Sequence, residues 1–275
     1  MIKQMKIGNR IFDIGSHTYI MGILNVTPDS FSDGGSYKTV DDALYRTEQM
    51  IGEGADIIDV GGESTRPGYK KTLTNEEEMA RVLPVIEKIR EKFDIPISID
   101  THKAQVAEAA ILAGADLVND IWGFKYDAKM ADIVKKYDAA CCLMHNKNEA
   151  VYHNFMKECA DELKSSVMLA KAAGISDDKI MIDPGVGFGK TYEHNLIVLK
   201  HLKDFNALGY PVLLGASRKS VIGLTLDTSV DDRVIGTCVT TAFAAAAGTA
   251  FVRVHDIKAN KQAIMMAEAI NHMNQ

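Results

Sequence analysis

No stretch of the sequence stays apolar for long enough to cross a lipid bilayer as a helix, although 47% of the 275 residues are hydrophobic. The small-residue run at 242–247 is too short for that purpose and favours a packed helix. Residues 1–6 lack the apolar core and the cleavage site of a secretory signal. We therefore expect no membrane partner and a cytoplasmic location.

Basic residues are too few to give the chain a positive surface. The sequence has 31 Lys and Arg residues against 37 Asp and Glu residues, for a formal net charge of −6. Proteins that bind nucleic acid need a basic face, because lysine and arginine replace the counterions of the polyanion. This balance disfavours a nucleic-acid partner, so any anion site has to be local.

Cysteine is scarce, and its spacing argues against a zinc site or a disulfide framework. The four cysteines form no Cys-x-x-Cys pair, and Cys141 and Cys142 are neighbours inside an apolar run. Successive residues of a strand point to opposite faces, so we expect these two side chains on opposite sides of a sheet. Unpaired cysteines also suit a reducing cytoplasm.

No linker or low-complexity segment divides the chain, which favours one domain over residues 1–275. From about residue 18 onward, eight apolar strand-like runs alternate with eight segments of helical periodicity, and a short hairpin within 5–18 precedes them. This alternation predicts an α/β fold, a (β/α)8 TIM barrel whose floor the hairpin caps. The predicted strands are 19–25, 56–60, 97–100, 117–119, 139–144, 179–182, 212–214 and 250–253. The predicted helices are 40–51, 75–92, 103–113, 128–136, 155–173, 192–207, 231–247 and 256–272.

Polar residues stand at the C-terminal ends of the predicted strands, where barrel enzymes build their sites. Asn25, Asp100, Asn119 and Asp183 each end or follow such a strand. Two carboxylates and an amide around one pocket can bind a heterocycle that carries several N–H and C=O groups. Helix capping is the alternative for Asp100 or Asn119 taken singly, but their shared position favours a ligand site.

The segment 21–35 joins a buried strand to a polar loop. The strand ends at Asn25, and Phe31 stands between polar residues ahead of Gly34 and Gly35. Pro28 argues against a helix before it, and such a loop can fold over a ligand. We therefore place one end of this segment at the mouth of the predicted site.

Cationic residues follow the last two predicted strands. The segment 217–220, Ser-Arg-Lys-Ser, stands where a short helix is expected to begin, and that place is a frequent anion site in barrels. Arg253 and His255 alternate along the eighth strand, so both side chains are expected on one side. Arg66 can reach the same anion across the mouth. A solvated basic rim is the alternative.

The glycine-rich segment 183–191 fails both common nucleotide-binding patterns. Pro184 occupies the first glycine position of a phosphate loop, and Lys190 occupies the third glycine position of a dinucleotide fingerprint. We interpret the segment as a loop that presents Phe188 to a ligand, with ordinary turn structure as the alternative.

Taken in order, these motifs resemble those of the dihydropteroate synthases, which belong to the folate pathway. The matching blocks are 21–35, 54–68, 96–123, 183–190, and 215–223 with 253–256. The resemblance implies a Mg2+-assisted barrel enzyme that joins 6-hydroxymethyl-7,8-dihydropterin diphosphate to 4-aminobenzoate and releases diphosphate and 7,8-dihydropteroate. It also implies a homodimer, for which the helix at 231–247 is a candidate face.

The resemblance further implies roles for single residues. Asn25 matches the residue that meets the Mg2+ held by the diphosphate. The pterin-binding positions are Asp100, Asn119, Asp183 and Lys219, together with Met144. Arg253 matches a stacking and anion-binding arginine, and His255 matches a phosphate ligand. The residues with implied catalytic roles are Asn25, Lys219, Arg253 and His255.

The remaining implied contacts lie on loops. The first mobile loop of the family matches Phe31 and Asp33, and the second matches Thr65 and Arg66. The aminobenzoate side matches Pro67, Phe188 and Ser220. The segment 144–147, Met-His-Asn-Lys, departs from the commoner Met-His-Met followed by Arg or Gln.

Two other functions remain open at this stage. A pterin-binding methyltransferase domain shares the barrel and the Asp-Asn-Asp pocket but has no reason to keep an anion site on the eighth strand. A barrel that binds a pterin or a partner protein without turnover is the second alternative. No Ser-His-Asp arrangement is present to supply a nucleophile, so loss of diphosphate before the arylamine adds is the favoured chemistry.

Overall fold

The computed structural model describes residues 2–26, 36–63 and 73–273 of the chain. Its centre is a parallel sheet of eight strands, in the order β8, β7, β6, β5, β4, β3, β10, β9. An isolated bridge between Ile182 and Val212 joins the two ends of this order and closes the barrel. The strands are β3 (Tyr19–Asn25), β4 (Ile57–Gly61), β5 (Ile97–Asp100), β6 (Leu117–Asp120), β7 (Ala140–Met144), β8 (Ile180–Asp183), β9 (Leu213–Leu214) and β10 (Phe251–Val254).

Helices surround the barrel, and the predicted α/β barrel is therefore confirmed. Most strand residues are buried, because the helices cover the outer face of the sheet and side chains fill the interior. The helices are α1 (Ser36–Glu53), α2 (Asn75–Lys92), α3 (Ala104–Ala113), α4 (Met130–Lys136), α5 (Phe155–Ala172), α6 (Tyr192–Lys200), α7 (Leu202–Asn206), α8 (Ser220–Leu226), α9 (Val234–Ala247) and α10 (Ile257–Asn271).

The predicted helix 192–207 is divided in two. His201 leaves helical geometry, with φ −110° and ψ 28°, and its N–H closes the last turn of α6 on Ile197 and Val198. Its Nδ1 then lies 3.0 Å from Asp204 Oδ2 in the first turn of α7. Similarly, the predicted helix 231–247 begins with a 3-10 turn at Asp231–Arg233 before α9.

An antiparallel hairpin closes the floor of the barrel, as the sequence predicted. It consists of β1 (Gln4–Ile7) and β2 (Arg10–Asp13). Met5, Ile7 and Phe12 are buried there in a cluster with residues of the barrel interior, such as Met21 and Phe251. The lower half of the barrel is therefore filled with apolar side chains, and the polar interior is confined to the opposite end.

The outer core is continuous between the sheet and the helices. Cys141 belongs to this outer core, whereas Cys142 belongs to the inner cluster above the hairpin, so the two cysteines face opposite sides as expected. Both are buried and unpaired, and Cys159 and Cys238 are also free. Within the described part of the chain, no helix has the length and apolar character needed to span a membrane.

Candidate active site

Parallel register brings the polar strand ends to one level at the upper mouth of the barrel. Asn25 pairs with Gly61, Gly61 pairs with Asp100, and Asp100 pairs with Asn119. Asp183 pairs with Met144 on the next two strands. Because the strands run in one direction, their last residues meet around one cavity, and the predicted polar group is brought together.

Arg253 lies at the centre of a buried ionic network. Its Nε donates to Asp59 Oδ2 at 2.6 Å, and its Nη2 donates to Asp100 Oδ2 at 2.7 Å. Asp59 also accepts from Ser98 Oγ at 2.5 Å and from Asn119 Nδ2 at 3.5 Å. The Arg253 guanidinium therefore donates to two carboxylates inside the barrel. Asp59 also links this guanidinium to the amide of Asn119.

Asp100 is left with one unused acceptor. Its Oδ1 is buried and has no hydrogen-bond partner among the described residues. Burial raises the pKa of Asp100, and the Arg253 guanidinium opposes this rise. An unpaired buried acceptor is costly, so this atom is suited to receive an N–H donor from a ligand.

Asp183 and Lys219 are two neighbouring charged groups of the site. A Cβ added at Gly215 would lie 3.5 Å from Asp183 Oδ2 and 3.8 Å from Lys219 Nζ, so both groups converge on that glycine. Asp183 Oδ1 accepts from Gly185 N at 2.7 Å. Burial raises the pKa of Asp183, and burial lowers the pKa of Lys219 to about 8, each shift being opposed by the other residue.

Lys219 also binds the loop after β8, residues 184–191. Its ammonium donates to the carbonyl of Val186 and stands over the Phe188 ring, 4.6 Å from the ring centroid. Cation–π contacts of this kind fix an aromatic ring against a cation. Ser220 is exposed and begins α8 directly after Lys219. The structure thus brings together Lys219, Phe188 and the start of α8.

His255 lies beside Ser217 at the ends of β10 and β9. The Nδ1 atom of His255 is 2.9 Å from Ser217 Oγ, and the backbone N–H of His255 donates to the same oxygen at 3.2 Å. Because Ser217 Oγ accepts from that N–H, its own proton is available to Nδ1, which favours the tautomer with hydrogen on Nε2. The side chain is therefore oriented by a buried serine.

Arg218 does not share the role that its place next to Lys219 suggested. Its guanidinium forms a bidentate pair with Asp256, at 2.9 and 2.6 Å. Its backbone is left-handed, with φ 55°, and is held by Thr237 and Arg233. The two cations of this segment therefore have different partners: Arg218 pairs with Asp256, whereas Lys219 contacts Val186 and Phe188.

The surroundings of Asn25 fit only a weakly protein-bound metal ion. Among the residues described, no group of three or more His, Cys, Asp or Glu side chains could hold a metal ion. A Cβ added at Gly61 would lie 3.8 Å from both Asn25 Oδ1 and Asp100 Oδ2, so these oxygens converge. Mg2+ commonly keeps several waters and binds substrate phosphates with few protein ligands. The oxygens of Asn25 and Asp100 fit a Mg2+ ion that takes most of its ligands from water and from the substrate's phosphates.

The remaining predicted residues divide into one that the structure places and five that it does not describe. Met144 is buried at the end of β7 and pairs in register with Asp183. Five loop residues predicted from the sequence lie outside the described residues: Phe31, Asp33, Thr65, Arg66 and Pro67.

Two buried residues, to which the sequence motifs assign no specific role, hold others in place. Asp59 accepts a hydrogen bond from Arg253, and Ser217 is hydrogen-bonded to His255. A signal for Asp59 exists, because it is the one charged residue within the apolar run 57–60. Ser217 has no such signal, since a serine before two cations is also ordinary at a helix start.

Comparison with known proteins agrees with the geometry. The family model described as "Pterin binding enzyme" matches residues 21–255. The dihydropteroate synthase of Clostridium beijerinckii is 54% identical over 267 residues, which cover 97% of this chain and 99% of that protein.

Solved structures give the same result. A Clostridium difficile dihydropteroate synthase, determined in the presence of pteroic acid, has a TM-score of 0.92 and 49% identity, covering 95% of this chain and 100% of that one. The Xanthomonas albilineans dihydropteroate synthase with 4-aminobenzoic acid has a TM-score of 0.93 and 38% identity, with full coverage of both chains.

Proposed function

The chain belongs to the dihydropteroate synthase family of pterin-binding enzymes, and from this premise we propose how its own residues carry out the reaction. The substrates are 6-hydroxymethyl-7,8-dihydropterin diphosphate and 4-aminobenzoate, and the products are 7,8-dihydropteroate and diphosphate. The observation that carries the proposal is the buried Oδ1 of Asp100, which has no partner among the described residues and lies beside Asn119 at the strand ends.

The pterin ring binds between the strand ends. Its ring N–H and amino donors pair with Asp100 and Asp183, while Asn119 offers both a donor and an acceptor. Met144 contributes an apolar contact from the end of β7. Two carboxylates on opposite sides of the barrel suit a ring that is rich in N–H donors, and this supports a pterin over a simple aromatic acid.

The diphosphate binds toward Arg253 and His255. Arg253 reaches the site from β10. Its Nε donates to Asp59, and its Nη2 donates to Asp100 at the mouth of the barrel. His255 is oriented by Ser217 so that Nε2 carries the proton that a phosphate oxygen accepts. Asn25 would hold Mg2+ together with the substrate's phosphate oxygens, and that ion supplies charge neutralisation for the leaving group.

The bond that breaks joins the pterin methylene carbon to the diphosphate oxygen, which leaves with the electron pair. The electron-rich ring stabilises the positive charge on the methylene carbon, and Arg253 and His255 stabilise the departing anion. The amine of aminobenzoate then bonds to that carbon and loses a proton. No side-chain nucleophile is required.

Aminobenzoate enters on the side formed by Phe188, Lys219 and Ser220, with Pro67, Thr65 and Arg66 expected from the second loop. Phe31 and Asp33 are expected over the same mouth from the first loop. Phe188 supplies an aromatic face, and Lys219 lies between that face and Asp183. This arrangement supports Lys219 as the group between the two substrates.

A homodimer is part of the proposal. Ile235, Val239 and Phe243 recur at intervals of four residues on α9 and are strongly exposed. Met266 and Ile270 are exposed on α10, which packs against α9. An exposed apolar face that spans two neighbouring helices supports an interface in which a second copy of the chain buries it. The free cysteines support a reducing cytoplasm as the place of action.

The test is incubation of the purified protein with pterin diphosphate, aminobenzoate and Mg2+, followed by chromatographic detection of dihydropteroate. Product should form only when both substrates are present, and Asp100→Asn should reduce it strongly. Asp178→Asn, at an exposed carboxylate far from the strand ends, is the matched control. Methyl transfer from methyltetrahydrofolate without dihydropteroate formation would favour the methyltransferase alternative, and binding without turnover would favour a pterin-binding protein.

A further inference from the structure

Two loops at the barrel mouth are packed tightly against each other. One is the β7–α5 loop, residues 145–154, and the other is the β8–α6 loop, residues 184–191, which carries Phe188. The Tyr152 hydroxyl donates to the carbonyl of Gly189 at 2.6 Å. The β8–α6 loop is therefore hydrogen-bonded to the β7–α5 loop through Tyr152.

Glycine makes this close packing possible at two points. Gly185 has φ +71°, and a Cβ there would lie 2.0 Å from the carbonyl oxygen of His145. Gly189 has φ +54°, and a Cβ there would lie 2.5 Å from the carbonyl oxygen of Lys147. Both positions require a left-handed backbone and leave no space for a side chain.

The Lys190 ammonium is a second polar link between the two loops. It donates to Phe188 O at 3.0 Å within its own loop, and it lies 2.8 Å from Nδ1 and 3.5 Å from the carbonyl oxygen of His145 across the gap. A lysine ammonium has three N–H donors and no acceptor. His145 Nδ1 therefore accepts, which requires the neutral ring with its proton on Nε2.

The surroundings of His145 keep that ring neutral. The side chain is fully buried, and burial together with the charge of Lys190 lowers its pKa to about 2. Its Nε2 lies 3.3 Å from Glu162 Oε2. Cys159 Sγ is 3.8 Å from Nδ1 on the face of α5. The acceptor for Lys190 is thus fixed in one protonation state at any pH near neutrality.

The opposite side of the β8–α6 loop carries the groups that contact Lys219. The ring of Phe188 lies against the Lys219 ammonium, and Val186 O accepts from it. Lys190 has no such contact, since its three donors are directed to His145 and to the main chain of Phe188. Its charge nevertheless helps to lower the pKa of Lys219. A change at Lys190 therefore reaches the aminobenzoate side through the loop and through this charge.

We propose that Lys190 is a positioning residue for the aminobenzoate half of the reaction: by tying the main chain of Phe188 to His145, it holds the Phe188 ring and Lys219 in the arrangement that receives aminobenzoate. This inference rests on the function proposed above. Asp100 and Asn119 stand on β5 and β6, outside both loops, whereas Asp183 accepts from Gly185 N in the β8–α6 loop, so recognition of the pterin ring depends on this link only through Asp183.

The test compares steady-state kinetics of the wild type with Lys190→Met, which keeps an unbranched side chain one atom shorter and removes all three donors. The KM for aminobenzoate should rise by about tenfold, while the KM for pterin diphosphate should change by less than about threefold. Tyr152→Phe removes the other link to this loop and should shift the same KM in the same direction. Lys190→Arg, which restores N–H donors, should recover much of the loss.

Lys157→Gln is the matched control, because it removes an exposed lysine paired with Asp161 on the outer face of α5. It should leave both KM values unchanged. Equal increases of both KM values in Lys190→Met and Tyr152→Phe would show a general structural role and overturn the inference, as would unchanged kinetics in both variants. A wild-type protein that makes no dihydropteroate would overturn the proposed function, and this inference with it.

Discussion

Asp59 and Arg253 are 194 positions apart in the sequence, yet Oδ2 of the first accepts from Nε of the second at 2.6 Å inside the barrel. Asp59 is fully buried, and it also accepts from Ser98 and Asn119. A buried ion pair stabilises a fold weakly, but loss of one partner leaves a buried charge without compensation. The carboxylate of Asp59 therefore fixes the position and orientation of the Arg253 guanidinium in the barrel.

The first prediction concerns this pair. Asp59→Asn keeps the shape of the side chain and removes its charge, so Arg253 should lose its fixed orientation. We expect kcat/KM for pterin diphosphate to fall about 10- to 100-fold, which corresponds to roughly 1.4 to 2.7 kcal/mol. In a double-mutant cycle with Arg253→Lys, the two losses should be strongly non-additive. Additive losses would mean that Asp59 acts independently of Arg253.

The second prediction concerns recognition of the pterin ring. Asp183→Asn replaces an acceptor-only group with one that also donates, so ring N–H donors should be left badly paired at a cost of roughly 1 to 3 kcal/mol. Calorimetric titration with hydroxymethylpterin measures this loss directly. Asp178→Asn provides the matched change at the surface, and equal affinities in the two variants would remove Asp183 from the pterin site.

The third prediction separates the diphosphate side from the pterin side. His255→Ala should weaken binding of the diphosphate ester by about 1.5 to 3 kcal/mol, because a hydrogen bond to a charged phosphate is lost, and should leave bare hydroxymethylpterin unaffected. Lys219→Ala should weaken both ligands, because its ammonium adjoins the ring site at Asp183. Paired titrations of each variant test this, and equal loss of both ligands in His255→Ala would contradict it.

The fourth prediction is a pH dependence that arises from Lys219. Burial lowers the pKa of this ammonium to about 8, so it is charged below that pH and becomes a neutral amine above it. We expect kcat/KM to fall as the pH rises through this value, approaching about tenfold per pH unit. In Lys219→Arg the activity should be lower but nearly constant over the same range, since arginine stays protonated.

Lys190 provides the control for that pH profile. Burial also lowers its pKa to about 8, with Cys159, Asp183 and Glu162 opposing the shift and Lys147 adding to it. Lys190→Arg removes this second titration and leaves Lys219 in place. The alkaline fall of kcat/KM should persist in Lys190→Arg, and its disappearance would assign the fall to Lys190 instead.

The fifth prediction concerns the exposed apolar face of α9 and α10. Phe243→Glu places a charge in its centre and should convert a dimer into monomers, as measured by light scattering after gel filtration. Leu112→Glu is the matched control, because Leu112 is similarly exposed on α3. A monomeric wild type, or a dimer that survives in Phe243→Glu, would argue against this interface.

The barrel fold and the end of the barrel at which the polar residues gather could be predicted from the sequence, because both depend on local patterns. Alternating apolar runs and helical periodicity indicate parallel strands, and parallel strands bring residues such as Asp100 and Asn119 to one end. The strand ends were also predicted to within a residue or two, since buried strands are short and end at polar residues.

Pairings between distant residues could not be predicted in this way. Nothing local to Arg218 shows that Asp256 neutralises it, and nothing local to Lys190 shows that a buried histidine of the β7–α5 loop accepts a hydrogen bond from it. Such contacts depend on how loops from neighbouring strands pack, which periodicity does not encode. The break at His201 was missed for a similar reason, because apolar spacing continues across it.

The bridge between Ile182 and Val212 gives the barrel one seam with fewer paired residues than its other joints. β9 contributes only Leu213 and Leu214 to the sheet, so few main-chain hydrogen bonds resist separation of β8 from β9. Asp183 ends the strand on one side of this seam, and Lys219 follows the strand on the other. Opening of the barrel at this joint would therefore change the separation of two charged groups in the cavity, whereas longer runs of paired residues join β3 to β7.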